Sequence, residues 1–190
     1  MDYTLDNGWL KQAERVSSPN YGPRPPGSQP ELLVVHNISL PPGRYGGPFI
    51  EQLFTNCLDW SAHPYFAEIR GMEVSSHFLI RRCGALSQFV SCDDRAWHAG
   101  ASTYCGRENC NDFSIGIELE GTDEEPYSDA QYAELTRLTL ALLAHYPTLH
   151  AEAIVGHSDI APGRKTDPGP AFDWSRYRSA LQQPPAGFHV

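Results

Sequence analysis

Two histidines and an aspartate have the side chains that a catalytic zinc ion commonly takes as ligands. His36 and His157 each end a short apolar run, and a polar segment follows each of them. Asp167 lies ten residues after His157. Two imidazoles and a carboxylate suit Zn²⁺ and leave its fourth position to a water molecule, whose pKa the ion lowers to about 7. If the two apolar runs are neighbouring strands, the sequence predicts a zinc site. The alternative, that these histidines are structural or surface residues, stays open.

The segment from Gly156 to Pro170 contains two of these three residues. Pro162, Pro168 and Pro170 fix φ and remove backbone donors, so the pattern predicts an ordered loop rather than a helix. Loops on a rigid scaffold commonly carry catalytic groups. Lys165 lies in this segment and is one of two lysines among the 14 Lys and Arg residues. Its ammonium could stabilise the oxyanion of a tetrahedral intermediate; the alternative is a solvated loop lysine.

A candidate general base lies on the strand predicted over 114–120. Apolar and polar residues alternate along it, so one of its faces cannot be a simple apolar core face. Glu118 lies on that polar face, and Gly116 leaves space beside it. A carboxylate there could take a proton from a zinc-bound water. Glu120 shares the face and is the second candidate. The alternative, that Glu118 merely pairs with an arginine, stays open.

Five further histidines are interpreted as structural or solvated. His77 is predicted to be a packed, hydrogen-bonded residue within a strand. His63 and His145 are predicted to be surface or structural residues, and His150 and His189 to be solvated. Asp159, in the segment before Pro162, is interpreted as a residue that shapes the loop.

The elements that must position these groups alternate irregularly between strands and helices. Ser128 and Gln131 form a capping box that opens the longest predicted helix, and Pro147 ends it. The pattern predicts an α/β (α+β) fold, a single domain with a mixed β-sheet flanked by helices. Residues 17–30 are predicted as loop, strands 74–80 and 86–90 as a hairpin, further strands over 32–36, 114–120 and 154–155, and helices near 49–56, 128–146 and 173–182.

The composition excludes several classes of partner. The net charge of −9 and the lack of a basic stripe argue against nucleic acid and against anionic lipid. No apolar stretch approaches the ~20 residues of a membrane span, and the acidic N-terminus lacks a signal sequence. Five cysteines, an odd number without a CxxC pair, favour a reducing cytosol over a disulfide framework or a structural zinc knot. We therefore expect a cytoplasmic protein.

Several stretches of the chain match a known family. They are LVVHNISLPPG at 33–43, HPYF at 63–66, VSSH at 74–77, RAWHAG at 95–100, NDFSIGIELEG at 111–121 and the segment 156–170. On these stretches the chain resembles the AmpD-type 1,6-anhydro-N-acetylmuramyl-L-alanine amidases of the amidase-2 superfamily, which also includes the peptidoglycan recognition proteins. The matching stretches occur in order from about residue 9 to 181.

The resemblance implies specific roles for five residues. His36, His157 and Asp167 would be the ligands of one zinc ion per chain. Glu118 would be the general base, and Lys165 would stabilise the transition state. The resemblance also implies a mixed sheet flanked by helices, and a single zinc amidase domain over 1–190 with its core at about 9–181 and a C-terminal tail over 182–190.

The resemblance further implies a substrate and a cellular role. The bond cut would join the lactyl group of 1,6-anhydro-N-acetylmuramic acid to the L-alanine of a muropeptide. Family members act in the cytoplasm, recycle fragments of the cell wall and thereby lower the signal that induces β-lactamase. We expect a muropeptide substrate, no nucleic-acid or membrane partner, and a monomer.

Four residues are candidates for substrate contacts. Asn37, Trp97 and His98 match positions near the substrate cleft of the family. Trp97 could pack on the anhydro sugar, since an aromatic ring suits the apolar side of a pyranose, or it could be a core tryptophan. Arg107 could contribute to a positive patch for an anionic stem peptide.

Two positions depart from the pattern of some relatives. Glu73 and Asn109 stand where those relatives carry arginines that contact stem-peptide carboxylates, so these contacts are in doubt here. Arg81 and Arg82, together with Arg107, could compensate.

Three other functions compete with the amidase. A binding module of the same fold would lack a full set of metal ligands, whereas all are present here. A zinc peptidase would cut within the stem peptide, but the HExxH motif of the commonest class is absent. A cysteine nucleophile at Cys105 or Cys110 has no evident histidine partner.

Overall fold

The computed structural model describes residues 3–183, which form one main sheet, three small strand pairs and five α-helices. The strands are β1 Leu5–Asp6, β2 Trp9–Leu10, β3 Glu14–Arg15, β4 Tyr21–Pro23, β5 Leu32–Ile38, β6 Phe78–Ile80, β7 Leu86–Gln88, β8 Asp94–Ala96, β9 Thr103–Tyr104, β10 Arg107–Glu108, β11 Ser114–Glu120 and β12 Ile154–Gly156. The helices are α1 Phe49–Phe54, α2 Pro64–Glu68, α3 Asp129–His145, α4 His157–Ile160 and α5 Trp174–Gln182, with 3₁₀ turns at Cys110–Asp112 and Ala151–Ala153.

The main sheet is mixed. Its six strands lie in the order β12-β5-β11-β6-β7-β3. The first four are parallel neighbours, β6 and β7 form an antiparallel hairpin, and β3 pairs in parallel with β7. The predicted mixed sheet flanked by helices and the predicted hairpin are therefore confirmed.

The central strand β11 is buried along its whole length because both faces of the sheet are covered. One face carries Ile115, Ile117 and Leu119, which pack in the main core with Leu135 and Leu138 of α3. The opposite face carries the polar residues of the alternating pattern. The pattern therefore separates the core face of this strand from a face available for chemistry.

The longest helix, α3, begins and ends where its sequence signals predict. The Ser128 hydroxyl accepts a hydrogen bond from the Gln131 backbone N–H, and the Gln131 side chain accepts one from the Ser128 N–H, both at 3.1 Å. The last helical residue is His145, and the extended Tyr146 precedes Pro147, as the steric demand of proline on its preceding residue requires.

The strand predicted over 86–90 ends at Gln88 and the helix predicted near 49–56 ends at Phe54; two other predicted segments differ more. The strand predicted over 74–80 begins at Phe78, because Ser75 N–H bonds to the Trp97 carbonyl of a loop instead of joining the main sheet. The predicted loop over 17–30 contains β4, which pairs with β8. Within residues 3–183 no helix is long and apolar enough to cross a membrane. His189 and residues 184–190 of the predicted tail lie outside the described residues.

Candidate metal centre

The structure brings His36, His157 and Asp167 together at one edge of the sheet. His36 lies near the carboxyl end of β5, and His157 directly follows the neighbouring parallel strand β12. The Nδ1 atoms of the two histidines are 3.0 Å apart. Asp167 Oδ2 lies 3.0 Å from His36 Nδ1 and 3.1 Å from His157 Nδ1. These three side chains could hold one metal ion.

The segment that carries two of these residues is not loop throughout, so the prediction for 156–170 is wrong at its start. His157–Ile160 forms the short helix α4. Pro162 is the first proline of the segment, so residues 157–160 keep their backbone donors and free φ angles. Asp159 Oδ2 accepts a hydrogen bond from the Gly156 N–H at 2.7 Å, which tethers the start of the helix. This contact confirms that Asp159 shapes the segment.

The chemistry of these three side chains suits a bound cation. The remote nitrogen of His157, Nε2, lies 3.1 Å from the Ala99 carbonyl, which can only accept a hydrogen bond. The Nδ1 atom of a neutral His157 is therefore an acceptor, and it faces a second imidazole nitrogen and a carboxylate oxygen. Acceptors buried at 3.0–3.1 Å from one another need a proton or a metal ion between them. A carbonyl bond on the remote nitrogen is also the usual second contact of a metal-ligating histidine.

Shifts in pKa favour the protonation state that a metal requires. Burial lowers the pKa of His36 to about 4, so its imidazole is neutral at pH 7. Burial also raises the pKa of Asp167, but hydrogen bonds with His157 and His36 outweigh it, and the pKa falls below its ordinary value. A neutral imidazole and an ionised carboxylate are the forms that bind metal ions.

Glu118 lies beside this cluster with an unpaired carboxylate oxygen. It is the register partner of His36 on the adjacent parallel strand. Its Oε2 atom is buried and has no hydrogen-bond partner among residues 3–183. Burial, reinforced by the charge of Asp167 and opposed by Lys165, raises the pKa of Glu118 well above its ordinary value. The ion pair with an arginine, which the sequence left open, is not present among the described residues.

Glu120, the second candidate base, has a different environment. Its Oε1 atom accepts hydrogen bonds from Arg81 at 2.9 Å and from the Gly46 N–H at 2.7 Å. Its Oε2 atom accepts one from the Arg82 N–H at 3.2 Å. Both carboxylate oxygens of Glu120 therefore have hydrogen-bond donors, and they connect β11 to the backbone at Gly46 and to Arg81 and Arg82.

A cavity of about 750 Å³ opens over the cluster. Its polar wall includes the three clustered residues, Glu118 and the exposed Lys165. Its apolar wall comes from the region of α1 and α2 and includes Leu40, Tyr65, Ile69, Met72 and Val74. The volume is in the range of sites for small organic ligands.

The candidate substrate residues divide into two groups. Asn37 and His98 line the cavity, and the Asn37 amide donates to Asp123 Oδ1 at 2.8 Å and to the Pro168 carbonyl at 3.1 Å. Among the described residues, the cavity wall does not include Trp97 or Arg107. The half-buried Trp97 pairs through its backbone with Ser75, and Arg107 bonds to Glu31 at 2.6 Å. Substrate contacts by all four residues stay predictions.

The arginines that line the cavity differ from those that the sequence suggested for a positive patch. Arg81 is engaged with Glu51 and Glu120, and neither Arg81 nor Arg82 belongs to the wall of this cavity in the described part of the chain. Arg164, which the sequence analysis missed, does line it and donates to the Ala99 and Ala101 carbonyls at 2.8 and 2.6 Å. Its position beside Lys165 was the available signal.

A second residue that the sequence did not single out is Arg24, which is not part of the cavity wall in the described part of the chain. Its guanidinium donates to several backbone carbonyls, among them Cys92 at 3.0 Å and Ser114 at 2.9 Å. His77 is packed next to it and is fully buried. The Nδ1 atom of His77 accepts from the Gly116 N–H at 3.0 Å, and Nε2 donates to the Asp94 carbonyl at 3.1 Å. The prediction of a packed, hydrogen-bonded His77 is confirmed, but His77 directly precedes β6 and does not lie within a strand.

Comparisons of this chain with known proteins, by family profile and by sequence, agree on one family. The profile of the N-acetylmuramoyl-L-alanine amidase family matches residues 26–170. The 1,6-anhydro-N-acetylmuramyl-L-alanine amidase AmpD of Escherichia coli K12 is 62% identical over 174 residues, which cover 92% of this chain and 94% of that protein.

Two solved structures extend the comparison. A crystal structure of a selenomethionine derivative of AmpD is 60% identical, with a TM-score of 0.91 over 94% of this chain and 99% of that one. The E. coli amidase AmiD, in complex with the substrate anhydro-N-acetylmuramic acid-L-Ala-D-γ-Glu-L-Lys, is 27% identical, with a TM-score of 0.59 over 93% of this chain and 65% of that one. By profile, sequence identity and fold, this chain belongs to the N-acetylmuramoyl-L-alanine amidase family and, within it, to the AmpD-type amidases.

Proposed function

We propose that this chain is a zinc-dependent 1,6-anhydro-N-acetylmuramyl-L-alanine amidase. It hydrolyses the amide bond between the lactyl group of 1,6-anhydro-N-acetylmuramic acid and the L-alanine of a muropeptide. In support, one relative is named a 1,6-anhydro-N-acetylmuramyl-L-alanine amidase, and another was solved with an anhydro-N-acetylmuramic acid peptide as its substrate. The observation that carries the proposal is the cluster of two Nδ1 atoms and one carboxylate oxygen beside the unpaired carboxylate of Glu118.

His36, His157 and Asp167 are the residues that would hold one zinc ion. Zinc bound there would polarise the scissile carbonyl and lower the pKa of a water molecule. The protein prepares this site by keeping His36 neutral and Asp167 ionised. It also holds Asp167 in place, because the backbone N–H of Ser158 donates to the Asp167 carbonyl at 3.0 Å.

Glu118 is the residue that takes the proton of the attacking water. Its position opposite His36 places the carboxylate at the cavity, and its unpaired Oε2 leaves an acceptor for that proton. Burial raises its pKa well above the ordinary value, which strengthens it as a base and lets it return the proton to the leaving amine.

Lys165 stabilises the oxyanion that forms when water adds to the amide carbonyl. Its backbone N–H is fixed by the Ala161 carbonyl at 3.0 Å, so a turn directs this residue to the cavity wall. An ammonium that meets the developing negative charge lowers the energy of the transition state more than that of the substrate.

The setting of this activity follows from the rest of the chain. All five cysteines lie within the described residues and are free thiols, which suits a reducing compartment, and we place the enzyme in the cytoplasm. There it would recycle fragments of the cell wall and lower the signal for β-lactamase induction. We further propose that residues 1–190 act as one amidase domain, with a core at about 9–181, and as a monomer.

Product analysis by mass spectrometry tests the proposal. Purified protein is incubated with anhydro-muropeptide and, side by side, with intact cell wall. The expected products are free anhydro-muramyl sugar and an intact stem peptide that begins with L-alanine. Shortened stem peptides would instead identify a peptidase, and binding without cleavage would identify a recognition module.

A further inference from the structure

His98 connects the zinc ligand His36 to the polar face of β11. His98 Nδ1 lies 2.9 Å from His36 Nε2, and the two rings are nearly perpendicular, at 84°. The other nitrogen of His98, Nε2, lies 3.0 Å from the hydroxyl of Ser114. Both nitrogens of His98 therefore have partners within the protein.

The backbone of β11 is shaped to receive the His98 ring. A Cβ atom added to Gly116 would lie 2.6 Å from Cγ and 2.7 Å from Nδ1 of His98, closer than such atoms approach. Gly116 therefore does not leave space beside Glu118, as the sequence suggested, but accommodates His98. The His98 backbone is held as well, because its N–H donates to Asn111 Oδ1 at 3.1 Å.

The chain of hydrogen bonds allows two tautomer arrangements, and only one of them leaves a lone pair on His36 Nδ1 for a metal ion. For His36 to offer a lone pair at Nδ1, its proton must lie on Nε2 and be donated to His98 Nδ1. The proton of His98 must then lie on Nε2, where the Ser114 hydroxyl can accept it. The reverse arrangement places a proton on His36 Nδ1, opposite Asp167, where it competes with a metal ion.

We propose that His98 is a positioning residue, which orients His36 and sets its tautomer for zinc, rather than a residue that contacts the substrate. This inference rests on the proposed function. In other metal sites, a hydrogen-bond partner on the remote nitrogen of a ligating histidine orients that ring, and removing the partner costs about 10–100-fold in metal affinity or activity. The inference gives the His36–His98–Ser114 chain this role.

A matched pair of substitutions at position 98 tests the inference. His98→Asn keeps an acceptor near the position of Nδ1, whereas His98→Leu has nearly the same shape and no acceptor. Zinc affinity is measured by competition with a chromophoric chelator, with circular dichroism as the check on folding. We expect His98→Leu to bind zinc about 10–100-fold more weakly and His98→Asn to stay within a few-fold of the parent. Parent-like zinc affinity in a folded His98→Leu protein would overturn the proposal.

Kinetics separate positioning from substrate binding. If His98 bound the substrate directly, His98→Leu would raise KM and leave zinc affinity unchanged. If His98 positions His36, the same substitution lowers zinc affinity, and at saturating zinc it lowers kcat with little change in KM. If the parent itself fails to cleave anhydro-muropeptide, the proposed function fails; if the parent cleaves it and His98→Leu changes only KM, this inference alone fails.

Gly116→Ala tests the same inference by displacing the His98 ring without substituting His98 itself. The added methyl group must displace the His98 ring, so we expect weakened zinc binding without any change to a hydrogen-bonding side chain. Gly22→Ala in strand β4 is the matched control, because its Cβ would meet only the end of the Arg95 side chain at 3.8 Å.

In the zinc-loaded parent, nitrogen NMR should show His98 unprotonated at Nδ1 and protonated at Nε2. The opposite tautomer, or equal zinc affinities in the two alanine variants, would overturn the proposal.

Discussion

Glu118 and His36 are direct register partners on adjacent parallel strands, so a buried carboxylate and a buried imidazole leave the same face of the sheet side by side. The pairing explains how a carboxylate can remain unpaired at the floor of a cavity. The strands hold the backbone of both residues. The guanidinium of Arg81 pairs with Glu120 instead, and that of Arg82 donates to the Pro126 carbonyl. The two carboxylates of β11 should therefore respond differently to substitution.

Replacing the carboxylate of Glu118 should remove the base and keep the metal. We expect Glu118→Gln to lower kcat by about 10²–10⁴-fold, the usual contribution of a general base, with zinc content near one per chain. Metal analysis and steady-state kinetics on anhydro-muropeptide are the measurements. Unchanged kcat would mean that another group takes the proton.

Glu120→Gln is the matched control for that substitution. It weakens the contacts with Arg81 and the Gly46 N–H, so we expect a decrease of about 1–3 kcal/mol in the free energy of unfolding. The kcat of the folded variant should match that of the parent. A kcat as low as that of Glu118→Gln would show that the two carboxylates are not functionally distinct.

Removing a ligand should weaken zinc binding. Asp167→Ala leaves the two imidazoles without their carboxylate partner, and we expect a markedly weaker zinc affinity in a chelator competition assay. In the parent, chelation should abolish turnover and added Zn²⁺ should restore it. Full turnover in rigorously metal-free protein would refute the zinc assignment.

Neutralising Lys165 should slow the reaction without releasing zinc. We expect Lys165→Met to lower kcat by about 10²–10³-fold, as the removal of one oxyanion-stabilising group does elsewhere, with little change in KM. The exposed Lys11 provides the control, and Lys11→Met should behave like the parent. An effect confined to KM would indicate a role in substrate binding instead.

The raised pKa of Glu118 predicts a pH-dependent stability in metal-free protein. The folded state keeps this proton at pH values where the unfolded chain has released it, so the penalty for burying the ionised form of Glu118 is absent below about pH 4.3. As pH rises above that value, the free energy of unfolding falls. Asp167 and Lys165 are the charged groups that shift its pKa, in opposite directions.

Thermal unfolding at two pH values checks this sign. We expect metal-free Glu118→Gln to have a higher Tm than the metal-free parent at pH 7.5 and a similar Tm at pH 4. Glu120→Gln should show no such gain at pH 7.5. A Glu118→Gln protein that gains stability only at the acidic pH would contradict the predicted direction of the pKa shift.

Local patterns in the sequence predicted many of the strands and helices. The apolar run of β5, the alternation along β11 and the capping box at Ser128 predicted those elements, because burial and capping act over a few neighbouring residues. The residue types of the candidate ligands also suggested zinc from the sequence, since imidazole and carboxylate groups are its usual partners.

Only the tertiary structure separated residues that look alike in sequence. Glu118 and Glu120 lie on the same face of one strand, but Arg81, 39 positions away from Glu120, pairs with that residue alone of the two. Gly116 suggested space for a base, whereas the ring of His98 fills that space. Such differences depend on strand register and packing between distant segments. The sequence alone therefore determined which chemistry was available, and the fold decided which side chains are placed to perform it.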